Sequence, residues 1–146
     1  MPVFPILNIK TNFTGIGLRY DSGLLVITEV TQEKNEGAGS ADLISGYLTL
    51  GYRFDQFLPY INIARQFSTD DNLRKDNITL ATLANRQRNA YSVGVKYYLS
   101  SSIALKADVT YADAFGNTTG GFPPAGNFNK ANQSVTVYSL AVDAIF

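Results

Sequence analysis

Chemistry-bearing side chains are sparse in this sequence, and two of the most useful kinds are missing. Its 146 residues include no histidine and no cysteine. Without histidine there is no ordinary general base for a serine or cysteine hydrolase, and no imidazole ligand for zinc or copper. Without cysteine there is no thiolate nucleophile, disulfide or cysteine metal site. What remains is charge. Lys+Arg 12 and Asp+Glu 12 give a formal net charge of +0, so no bulk attraction to nucleic acid is expected. Arg19, Glu29, Arg53, Lys96, Lys106, Asp108 and Asp143 stand out because each alternates with apolar neighbours. On a strand, side chains so placed share one face. They would either line a hydrated passage or pair with one another in a closed interior.

Other combinations lead nowhere. Asp70, Asn72 and Asp76 suggest calcium, but Lys75 and Ala81 stand where the calcium loop of an EF-hand needs glycine and glutamate. Gly120-Gly121-Phe122-Pro123-Pro124 lacks the lysine of a phosphate-binding loop. No clustered carboxylate pair stands out, so the chain is read as non-enzymatic, with no cofactor and no metal.

The elements that position the charges are strands. Tyr91, Val93, Val95, Tyr97 and Leu99 alternate with Ser92, Gly94, Lys96 and Tyr98. Ile103, Leu105, Ala107, Val109 and Tyr111 alternate with Ala104, Lys106, Asp108, Thr110 and Ala112. Ser100-Ser101-Ser102 joins the two runs, which is the pattern of a β-hairpin. Similar runs cover Phe13 to Asp21, Leu24 to Glu33, Leu43 to Phe54, Leu58 to Phe67 and about Gln133 to Phe146, with Val3 to Lys10 as an eighth candidate weakened by Pro5. The phase of the second run is ambiguous, because Leu25 and Ile27 would share the face of Glu29.

Connections alternate in length. Asp21 to Gly23, Asp55 to Phe57 and Ser100 to Ser102 are short, whereas Glu33 to Ser40, Ser68 to Arg88 and Ala114 to Ala131 are long and polar. No apolar run approaches the roughly 20 residues of a transmembrane helix. Met1 to Ile9 has no basic start, so it is a poor signal peptide. A single all-β domain over 1–146 follows. Alternation alone leaves open a soluble barrel or sandwich, with apolar residues inside, and a membrane barrel, with apolar residues outside. The second is favoured by the ionised and glycine residues on one phase. It is also favoured by aromatics near strand ends, such as Tyr20, Tyr52, Phe54, Tyr97 and Tyr111.

Tyr138, Leu140, Val142, Ala144 and Phe146 are apolar at every second position up to the chain's last residue. This resembles the C-terminal assembly signal of Gram-negative outer-membrane proteins. Gly51 to Phe54, Leu58 to Tyr60 and Gly94 to Tyr98 are similar in style to the C-terminal part of a porin. The resemblance implies an antiparallel transmembrane β-barrel, either a closed small barrel of seven or eight strands or the C-terminal half of a larger porin barrel. It implies an outer-membrane location, with short turns and Phe146 at the periplasm. Lipid, lipopolysaccharide and the barrel-assembly machinery would be its partners, small hydrophilic solutes its cargo, and a homo-oligomer (a trimer in a true porin) its assembly. The alternative is a small structural or adhesive barrel acting through its outer loops. Arg65, on the lipid-facing phase, would snorkel to headgroups. Ser68 to Arg88 would be a solvated loop, with folding into the lumen as the other option.

Overall fold

The computed structural model describes residues 10–36, 40–122 and 131–144. They form one antiparallel sheet of seven strands in sequential order. The strands are β1 (Thr11–Ser22), β2 (Leu24–Asn35), β3 (Leu43–Tyr52), β4 (Phe57–Ser68), β5 (Arg88–Tyr98), β6 (Ile103–Ala114) and β7 (Ser134–Ala144). The only α-helix among the described residues, α1, is Ile78–Ala84. The all-β, antiparallel reading therefore holds. The eighth candidate, Val3 to Lys10, lies outside the described residues except for Lys10, and so do Ile145 and Phe146.

Sheet closure differs from the expectation of a barrel. Each strand pairs only with its sequence neighbours, so β1 and β7 are free edges and the described sheet is open. Both edge strands are exposed along nearly their whole length on both faces, while β2 to β6 alternate between exposed and covered residues. The physical reason is the missing neighbour: a strand paired on one side cannot shelter its flanks.

Tight turns account for one end. Gly23 takes φ +85, a left-handed conformation that glycine reaches without a Cβ clash. The second turn lies slightly earlier than its sequence suggests. Asp55 takes φ 52, and Phe54 and Phe57 bridge each other across it, which moves Phe57 into β4. At the third, the Ser100 hydroxyl accepts from the backbone N–H groups of Ser102 and Ile103 at 3.2 and 3.1 Å.

At the other end the long connections fold rather than drift. Asp71–Arg74 is a 3-10 turn, followed by α1, so 68–88 is not the plain solvated loop its polarity suggested. Arg74 is 1% exposed and is the anchor. It pairs with Asp70, and its Nε donates to Asn85 Oδ1 at 2.5 Å. Asp70 also accepts the Asp42 N–H at 3.0 Å, which ties in the β2–β3 connection. The β6–β7 connection joins through Thr119 N–H to the Thr82 carbonyl at 3.0 Å. Three connections thus make one cap.

A buried guanidinium stripped of its carboxylate costs about 3–5 kcal/mol. Asp70→Ala is therefore expected to open the cap, freeing the buried Arg74 and unfolding the backbone around the already exposed Lys75 and Arg86 so that trypsin can cut there. Limited proteolysis of the folded protein should show cleavage there at least about tenfold faster than in the wild type. Equal rates would mean that the pair does not hold the cap.

Candidate functional site

The register sorts every residue to one of two faces. Pairings such as Arg19↔Ile27, Ile27↔Thr49 and Thr49↔Asn62 continue through Ser92 and Thr110 to Val137, and place all six neighbours of Arg19 in this row on its face. A cavity of about 460 Å³ on that face is lined from Arg19 on β1, through Thr49 and Asn62, to Asp143 on β7. A cavity that draws on all seven strands requires this face to be concave. The opposite, convex face carries the apolar phase. Ile16 is 78% exposed, Val93 61% and Leu140 88%.

All seven ionisable residues singled out in the sequence belong to the concave phase, and the structure gives each a partner. Lys96 Nζ reaches Asp143 at 2.5 Å, and Lys106 Nζ reaches Asp108 at 3.3 Å. Arg19 and Arg53 both reach Asp21, at 2.9 and 3.5 Å. Arg53 also lies 4.6 Å from the centre of the Tyr98 ring. Its pKa is raised above the ordinary value, chiefly by a hydrogen bond to Tyr98. Glu29 accepts from the Tyr47 hydroxyl at 3.4 Å and pairs with no cation among the described residues. Paired charges thus dominate the short-turn half of the sheet. Exposed pairs of this kind contribute roughly 0–1 kcal/mol each, so they organise the surface more than they stabilise it.

Four participants were missed. Asp21 sits two residues after Arg19 on the same face, and that spacing was a readable signal; its position in a turn hid it. Tyr60 and Tyr98 occupy the phase of Lys96, as the alternation indicates, but neither was given a role there. Gly94 is the fourth. The Tyr60 hydroxyl donates to Asp108 Oδ2 at 3.0 Å, and it does so by crossing β5 directly over Gly94. A Cβ at Gly94 would collide with the Tyr60 hydroxyl and stand 2.7 Å from Asp108 Cβ. Only a glycine lets the β4 tyrosine reach a β6 carboxylate there.

On the convex face, Tyr138, Leu140, Val142 and Ala144 lie together along β7, opposite Val109, Ala107, Leu105 and Ile103. Phe146 lies outside the described residues. Tyr52 stacks near Phe54, and Phe57 near Tyr97, each with ring centres 4.7 Å apart at the short-turn end. Arg65 keeps the convex phase, but its guanidinium rests 4.7 Å above the Phe115 ring. That contact holds it at the long-loop end.

Gly94→Ala should destabilise the fold by about 1–3 kcal/mol through overpacking. With Tyr60→Ala in the same chain, the loss should fall short of the sum by at least about 0.5 kcal/mol, because the two share one contact. Denaturant titration of the four proteins measures this, and strict additivity would remove the contact. No protein-family model, no curated protein and no solved structure matches this chain.

Proposed function

We propose that this sheet belongs to a β-barrel of a Gram-negative outer membrane and lines a passage for passive diffusion of small hydrophilic solutes. One observation carries the reading: the polarity of the sheet is inverted. Its covered, concave face holds the ionised side chains, and its exposed, convex face is apolar. Water would penalise such a convex surface, since soluble monomers rarely expose apolar patches beyond a few hundred Å². Lipid would not.

The remaining geometry agrees. Strands of 10 to 12 residues are about 33–40 Å long. With a barrel's tilt they would rise roughly 25–30 Å, close to the hydrocarbon thickness. Among the described strands, the charged residues of the convex phase are Lys34, Arg65 and Asp113, all at the long-loop end. Aromatic pairs mark the short-turn end, where an interfacial girdle would lie. No described helix is long and apolar enough to cross a membrane, which leaves crossing to the strands. In sequential antiparallel order β1 and β7 run the same way, so an antiparallel barrel would need an odd number of further strands.

On this reading lipid and lipopolysaccharide contact the convex face, the barrel-assembly machinery engages β7, and no catalytic group is required. The knit cap favours the alternative of a small barrel acting through its loops, because it presents Leu73 and Ile78 at 69% and 82% exposure.

Val93→Arg separates membrane from water. In lipid the charge costs about 2–4 kcal/mol near the midplane. At a 61% exposed position of a soluble protein it would cost under about 0.5 kcal/mol. Folding titrations in detergent or lipid read the difference, and a negligible cost sinks the membrane reading. The passage is tested separately. Folded protein in a planar bilayer should give discrete conductance steps, and their absence would leave the loop-acting barrel.

A further inference from the structure

The concave face is not uniform. Its short-turn half carries the ion pairs, but its long-loop half contains a second cavity of about 430 Å³ with a mainly apolar lining. Three adjacent strands place alanines side by side there, Ala64↔Ala90 and Ala90↔Ala112. Their small side chains leave the space open. Tyr47 and Val135 extend the same row on either side, and Phe122 reaches in from the β6–β7 connection. A pathway for fully hydrated solutes has no need of an aromatic and aliphatic recess in its wall.

Two arginines line that recess without an ion pair among the described residues, Arg65 and Arg88. Arg65 belongs to the convex phase and lies over the Phe115 ring, which leaves Arg88 as the concave-face cation. Arg88 lies one position above Ala90 on the same face. Its guanidinium donates to Gln66 Oε1 at 3.4 Å and lies 5.6 Å from the centre of the Phe122 ring. Among the described residues no carboxylate reaches it, whereas Arg19, Arg53, Lys96 and Lys106 each have one. Glu29 also faces the cavity, but from β2, three strands from β5, or about 14 Å along the sheet. The two charges therefore do not cancel within the recess.

We propose that this cavity binds a small carboxylate with an apolar body, of the aromatic monocarboxylate class. The carboxylate takes the fork of Arg88, which matches its two oxygens. The ring lies over the alanines beside Phe122. A volume of 430 Å³ is within the range of small-molecule sites, and a single benzene-ring acid fits it with room for water. The inference deepens the channel reading by naming a solute class, and rests on that reading only for its role in passage. The binding itself requires only the concave face.

The probe is 4-fluorobenzoate, followed by fluorine NMR on the full chain folded in detergent, with 4-fluorobenzamide as the neutral analogue of equal shape. The expected result is saturable binding of the benzoate, about tenfold weaker binding of the amide, and about tenfold weaker benzoate binding in Arg88→Gln. Ala90→Leu fills the recess and should lose both probes. Lys34→Gln, on the convex side, should bind as the wild type does. Equal affinity of wild type and Arg88→Gln, equal affinity for acid and amide, or uptake that never saturates would each overturn the proposal. If Ala90→Leu does not fold, the arginine variant decides alone. A chain that conducts in bilayers without Arg88-dependent binding overturns this inference and keeps the channel. A chain that binds benzoate and tolerates Val93→Arg keeps this inference and overturns the membrane.

Discussion

Register is the constraint on which the rest of the structure depends. Six strand pairs run without a bulge or a skipped residue, so one parity choice in β1 is transmitted to β7. A slip of one residue in any pair would turn every side chain beyond it to the opposite face. Lys96 would then meet the apolar band, and Val93 would meet the charges. The polarity difference between the faces is therefore both the product of the register and the force that keeps it. Aliphatic residues occupy the same convex phase in every strand, so a medium that rewards apolar contact would reinforce that register.

Period-two alternation made much of this legible. Tyr91 to Leu99 and Ile103 to Ala112 could be read directly as a hairpin, because every apolar position except Tyr97 is followed by a small or charged one. β2 was harder for a physical reason. Leu25 points to the concave side and is 6% exposed, and Ile27 lines the same cavity as the polar residues. Leu58, 4% exposed, lies on that face as well. A small apolar patch near the short turns thus shares a face with charges, and alternation cannot signal a face of mixed polarity. The cap was not legible at all. Arg74 looks like any loop cation in the sequence. Its burial depends on Asp70, Asn85 and the β2–β3 connection meeting in space, and no spacing rule encodes such a meeting.

The charges show a second limit of one-dimensional reading. Alternation correctly gathers Arg19, Arg53, Lys96, Lys106, Asp108 and Asp143 on one face, but it cannot say which acid meets which base. Reach across more than one strand decides that. Lys96 on β5 skips β6 to reach Asp143 on β7, and Tyr60 on β4 skips β5 to reach Asp108 on β6. Long side chains span two strand spacings where the intervening residue is short enough. Gly94 clears the way in the second case. A glycine in mid-strand weakens the strand locally, and here the loss is offset by a cross-strand hydrogen bond that no other residue would permit.

The same logic explains why the concave face divides into two halves. Where long polar side chains bridge alternate strands, space is filled and charge is matched. Where Ala64, Ala90 and Ala112 stand in a row, nothing bridges. The space stays open, and among the described residues Arg88 above it pairs with Gln66 and an aromatic ring rather than with a carboxylate. Filling such a recess with larger aliphatic residues would bury more apolar surface and stabilise the sheet. Moving a carboxylate within reach of Arg88 would match its charge. The fold does both elsewhere on this face, with Leu25 and Leu58 for bulk and with Asp21, Asp108 and Asp143 for charge, so the chemistry to do so is available to it. An open apolar floor beside an unmatched guanidinium is the arrangement that an external carboxylate would complete.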